Sequence, residues 1–156
     1  MQLSNDFSLE ELTKSQMADR MGIDNTPPPV AVVYLQSLVD NVLQPLRDAV
    51  GQPISINSGY RNPTVNAAVG GVPSSQHTEG KAADTECMTM TTVEWARFIV
   101  STGIEFDQLI LEFYSRDKGP NSGWVHISYN PGQNRHQVLT AVNKNGTVYY
   151  MTGIIE

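Results

Sequence analysis

Hydrophobic and polar positions change their period partway along the chain. Leu35, Leu38, Val39, Val42, Leu43 and Leu46 recur three and four apart, which predicts one long amphipathic helix over Val30 to Val50. Pro45 lies inside this pattern and predicts a kink or the start of a second piece, and Gly51 predicts the stop. A shorter helix is predicted from Leu9 to about Met21, opened by the Ser8–Glu11 capping box and closed by Gly22. Thr91 and Glu94 form a second box ahead of a helix that runs toward Gly103. Pro63 to Val69 predicts one more short helix.

Elsewhere the period is two or the runs are short. Strands are predicted at Pro53–Ser58, Ala82–Cys87, Phe106–Phe113, Trp124–Tyr129, Gln137–Asn143 and Thr147–Thr152, with Asn145-Gly146 as a hairpin turn between the last two. Val72 to Glu79 and Ser115 to Gly123 read as loops. Helices lie mostly early and strands mostly late. That order predicts a single α+β domain over residues 1–156, a largely antiparallel sheet with helices packed on one side.

Composition narrows the function. With 156 residues the chain is long enough for one real core. A net charge of -6 argues against a duplex nucleic-acid binder. No run reaches transmembrane length, so no membrane partner is expected. Cys87 is the only cysteine, which rules out an intrachain disulfide. Met1 to Glu11 has neither a basic region nor an apolar run, so no signal peptide is expected.

The chemistry concentrates in Ser75-Gln76-His77-Thr78-Glu79-Gly80-Lys81-Ala82-Ala83-Asp84. Neutral imidazole and carboxylate are good ligands for a divalent metal such as zinc, and His126 is the candidate third ligand. Alternation in the strand Trp124–Tyr129 puts Val125, Ile127 and Tyr129 toward the core and Trp124, His126 and Ser128 on the other face. Taken singly, each ligand has a plainer reading: a surface histidine or a turn-capping aspartate. His136, in a polar run, keeps that plainer reading.

Ser75-x-His77-x-x-Gly80-x-Ala82-x-Asp84, followed by Trp124-x-His126, resembles the zinc D-alanyl-D-alanine metallopeptidases, relatives of the Hedgehog signalling domain. Ser58 to Pro63, Asn66 to Gly71 and Phe106 to Ile110 also match, so the resemblance covers about Val30 to Tyr129. It implies a Hedgehog/DD-peptidase-like fold and one zinc ion per chain on His77, Asp84 and His126, with the fourth position open to water. It implies a substrate among peptidoglycan stem or cross-link peptides, in a monomer. It also implies a lysis or prophage setting, with the protein cytoplasmic until released to the wall or carried on a virion.

A peptidase of this kind needs a general base. Many relatives carry an acidic residue three positions before the last ligand, where this chain has Gly123. Others place a glutamate five residues after the aspartate of the preceding strand; counting from Asp107 gives Glu112. Arg61 is the candidate for stabilising an oxyanion or gripping a substrate carboxylate. Ser75 and Trp124 are candidate substrate contacts; Trp124 stands where some relatives have a proton-transferring histidine. The alternative reading is a catalytically inactive zinc-binding module on the same scaffold.

Overall fold

A computed structural model describes residues 1–156. Six strands form one sheet: β1 (Ile54–Ser58), β2 (Ala82–Cys87), β3 (Gln108–Glu112), β4 (Trp124–Ser128), β5 (Gln137–Lys144) and β6 (Thr147–Thr152). They lie in the order β1-β2-β4-β3-β5-β6. Every neighbouring pair is antiparallel except β3 with β5. The protein is therefore α+β with a mostly antiparallel sheet. No helix is long and apolar enough to cross a membrane.

The helices are α1 (Leu9–Thr13), α2 (Gln16–Met21), α3 (Pro29–Leu38), α4 (Gln44–Val50), α5 (Pro63–Ala68) and α6 (Thr92–Ser101). The single helix predicted over Leu9 to Met21 is in fact two. Lys14 turns to an extended conformation, and the Ser15 hydroxyl accepts from the Ala18 N–H to start α2 afresh. A serine that satisfies a free N–H outside a helix competes with helix continuation at that point.

Pro45 stands in the first turn of a second piece, α4, as one of the two expectations had it, and the helical run continues through it. Val39–Leu43 forms a π-helical turn between α3 and α4, and the Gln44 N–H donates to the Val39 carbonyl, five residues back. Proline has no N–H to give and crowds the carbonyl four residues earlier, so a widened turn just upstream relieves the conflict. The Thr91–Glu94 capping box forms in both directions at the start of α6.

The core lies on one face of the sheet. Leu35, Leu38, Leu43 and Leu46 from the long helical segment, with Trp95 and Ile99 from α6, pack on Ala83, Leu109, Leu111, Val125 and Ile127. Trp95 reaches the sheet with its polar edge satisfied, donating Nε1–H to Thr85 Oγ1 at 2.9 Å. The opposite face carries the other half of each strand, and there the apolar pattern stops.

Candidate metal centre

His77, Asp84 and His126 come together on that opposite face. The donor atoms they offer all lie within 4.8 Å of one another, and all three residues are buried. Register explains two of them: Asp84 of β2 sits directly opposite His126 of β4. His77 arrives from the 3-10 turn Gln76–Glu79, which ends at Gly80 with φ of 80°. A Cβ at Gly80 would meet the Ala31 carbonyl oxygen at 2.5 Å, so glycine is needed both for the turn and for the close pass of α3.

The donor set fits a zinc ion. Asp84 Oδ1 lies 3.3 Å from His77 Nε2 and 3.2 Å from His126 Nδ1. Ligands at about 2.0–2.1 Å from a tetrahedral zinc stand roughly 3.3 Å apart. The Gly59 carbonyl accepts from His77 Nδ1 at 2.7 Å, which leaves the lone pair on Nε2, facing Asp84. A lone pair aimed at a carboxylate is repulsive unless a cation stands between them. Without a metal a proton on the rings relieves the same contact: burial raises the Asp84 carboxyl, but the charge of protonated His77 foremost, with hydrogen bonds from both rings, outweighs it and holds it below the usual carboxylate range.

The site forms the floor of a cleft of about 600 Å³ that Arg61, Ser75, Glu112 and Trp124 also line. Glu112 Oε1 lies 3.7 Å from His126 Nδ1. Burial foremost, then the charge of Asp84, pushes the Glu112 carboxyl up to about 7, while His126 and Arg61 pull it down. A cation among the three ligands would pull it further in the same direction. The Arg61 backbone N–H donates to the His77 carbonyl at 3.0 Å, tying the arginine turn to the ligand turn. Its side-chain Nε is buried without a partner. Burial lowers the Arg61 pKa, against the charges of Asp84 and Glu112.

Ser75 caps the ligand turn, its hydroxyl accepting from the His77 N–H at 3.2 Å. Trp124 pairs across from Glu112 and meets Phe113 edge to face, ring centres 5.5 Å apart. Gly123 has a steric reason to be glycine: with φ of 68°, a Cβ there would lie 2.2 Å from the Glu112 carbonyl oxygen. No acidic side chain fits at that position in this chain. His136 is exposed and stacks on Phe106 at 4.2 Å, away from the ligands.

Residues that the sequence did not name as site candidates also surround the ligands. Asp107 is buried and receives Gln76 Nε2 at 2.8 Å and Arg135 Nε and Nη2 at 2.9 Å each. Those Arg135 bonds foremost, against burial, hold the Asp107 carboxyl down at about 2. A carboxylate so engaged is a brace for the residue next to His77 and is unsuited to proton transfer. Val148 and Tyr150 of β6 also line the cleft. Tyr150 pairs with Ala141, which pairs with Glu112, so three strands carry one face outward from the ligands. The period-two spacing of Val148 and Tyr150 was the available signal; Arg135 sits in an aperiodic loop that offered none.

Three protein donors at the base of an open cleft, beside a carboxylate and an arginine, define a mononuclear metal site of the metallopeptidase kind. The family model for Peptidase M15 matches residues 5–128, and the chain belongs to that family. Over 43 residues the chain is 49% identical to the zinc D-Ala-D-Ala carboxypeptidase of Streptomyces albus G, a stretch of 27% of this chain and 17% of that protein. The match thus spans about a sixth of that relative's length.

Proposed function

We propose that the protein is a zinc peptidase that hydrolyses peptide bonds in peptidoglycan stem or cross-link peptides. The observation that carries this reading is the joint placement of His77, Asp84 and His126 on the floor of a cleft whose walls hold Glu112 and Arg61. His77, Asp84 and His126 would hold a zinc ion, which would supply a Lewis acid and lower the pKa of a water in the cleft. Glu112 takes the proton of the attacking water and hands it to the leaving amine. Arg61 meets the negative charge that develops on the carbonyl oxygen, or grips a substrate carboxylate with its paired N–H groups. Ser75 and Trp124 position the peptide, Trp124 as an apolar wall. The peptidoglycan substrate is supported by family membership and by the D-Ala-D-Ala carboxypeptidase activity for which the Streptomyces relative is named. The same reading carries the kinship to the Hedgehog scaffold, action as a monomer and a role as a phage lysis enzyme. In that role the protein stays in the cytoplasm until it reaches the wall, or travels on a virion.

Digestion of purified peptidoglycan, with mass spectrometry of the fragments, tests the proposal and identifies the bond. Zinc-loaded wild type is expected to release peptide fragments. Glu112→Gln, which keeps shape and hydrogen bonding, is expected to retain zinc and lose turnover by about a hundredfold or more. Wild-type rates in Glu112→Gln would remove the glutamate from its role. Zinc-loaded wild type inert on every wall preparation would favour an inactive zinc-binding module.

A further inference from the structure

A second cavity, of about 490 Å³, adjoins the cleft, with Arg61 and Val69 lining both. Its ten lining residues include three cations, Lys14, Arg20 and Arg61, and no carboxylate. None of these three cations takes part in any of the protein's ion pairs. With Lys118 and Lys144 they make five of the ten Lys and Arg residues that form no ion pair, and these three line one cavity in a chain of net charge -6. The buried Arg61 Nε, which lacks a partner, stands where the two cavities meet. The remaining wall is polar, with Ser15, Gln16, Asn57 and Ser58. The nearby acid is Glu86, which accepts from Asn57 Nδ2 at 2.7 Å. Glu10, Asp19 and Asp24 line a neighbouring cavity that shares Lys14 and Ser15 with this one, so of the three cations Arg20 and Arg61 face this cavity without those acids.

We infer that this cavity is an anion subsite of the same cleft, which takes a carboxylate-bearing part of the peptide on the far side of Arg61 from the metal ligands. The inference rests on the peptidase reading for its ligand, and it narrows that ligand to acidic peptides. Unpaired cations cost nothing in broken ion pairs when an anion arrives, and two of them, Lys14 and Arg20, are exposed enough to reach toward it. The local positive field also offsets the repulsion that an acidic protein exerts on an acidic ligand. The break between α1 and α2 acquires a use here: Lys14 lies at the break, and α2 presents Gln16, Met17 and Arg20 to the cavity.

Calorimetry with two reduced-bond peptides, identical except for a glutamyl carboxylate in one and a glutaminyl carboxamide in the other, tests the subsite on the full zinc-loaded chain. Wild type is expected to bind the glutamyl peptide about tenfold more tightly, with the preference shrinking as salt rises. Lys14→Ala/Arg20→Ala is expected to lose the preference at unchanged zinc content, and Lys14→Glu/Arg20→Glu to reverse it. Equal affinity for the two peptides in wild type, binding of neither, or a preference that survives both double substitutions would overturn the inference. Because the peptides are not cut, this result is independent of digestion: failure to cleave peptidoglycan counts against the peptidase reading, and absence of the preference counts against the subsite.

Discussion

Along β4, Val125 and Ile127 pack into the core while His126 turns to the cleft; along β2, Ala83 and Asp84 divide in the same way. The two faces of one sheet therefore share backbone, register and burial, yet one is dry and apolar and the other holds charged and titratable groups. Burial alone does not distinguish them, since His77, Asp84 and His126 are buried residues as the core residues are. What separates them is satisfaction. The core face is closed by dispersion and area removed from water, whereas the cleft holds Nε of Arg61 and Nε1 of Trp124 buried without a protein partner. A face that buries polar groups and leaves them waiting is built for something that arrives later.

Substitutions on the two faces should therefore separate metal binding from stability. The largest effect is expected at the ligands: His77→Ala or His126→Ala should abolish the bound zinc, about one ion per chain in wild type, as measured by elemental analysis after reconstitution. Wild type that holds no zinc after reconstitution would break the comparison at its root. One residue along from His126, Ile127→Ala should instead keep the metal and lower unfolding stability by about 2–5 kcal/mol in denaturant titration. A core-face substitution that also empties the site would mean that the faces are not separable.

Arg61→Ala should retain zinc and fold, and lose about 2–4 kcal/mol of transition-state stabilisation, read from kcat/KM on the identified peptide bond. Arg61→Lys should not restore it fully, because an ammonium lacks the paired fork of a guanidinium. Near-normal turnover in Arg61→Ala would return the arginine to a purely structural place between its turn and the ligand turn.

The smallest effect concerns Asp107, a charged residue that behaves like the core face because it is fully engaged. Its carboxyl is held at about 2 in the folded protein, below an ordinary value of 3.8. A depressed acid stabilises the fold above its unfolded pKa and loses that contribution as pH falls through the folded one. Wild type should therefore lose stability between about pH 4 and pH 2, and Asp107→Asn should start less stable at pH 7 and show a shallower loss across that window. Thermal melts at several pH values check this; parallel curves would show that the Gln76 and Arg135 bonds contribute nothing to the fold.

Much of the site was legible before the fold was known. Histidine, glycine and aspartate at their spacing before a strand, and a histidine on the polar phase of another, name ligands because donor chemistry and period-two alternation are local properties. Glu112 follows by counting from Asp107, as the resemblance implies; Phe113 does not alternate with it, since at φ of 59° it leaves the strand and lines the cleft beside it. The Thr91–Glu94 capping box, the Ser8 N-cap and the Asn145-Gly146 hairpin were also written locally, and Asn145 and Gly146 both take the positive φ that the turn requires.

Tertiary contact decided the rest. That Leu9 to Met21 makes two helices, and that a π-helical turn absorbs Pro45, follows from competition between hydrogen bonds that periodicity does not weigh. That Gly123 excludes an acidic side chain depends on how close β3 passes, and that Asp107 is a brace depends on Arg135, 28 residues away in sequence. The pairing of Asp84 with His126, the parallel placement of β5 beside β3, and the meeting of two cavities at Arg61 are long-range facts. A sequence states which groups are available to coordinate, donate or repel; only the packed chain states which of them remain unpartnered, and in this protein those are the groups left to meet a ligand.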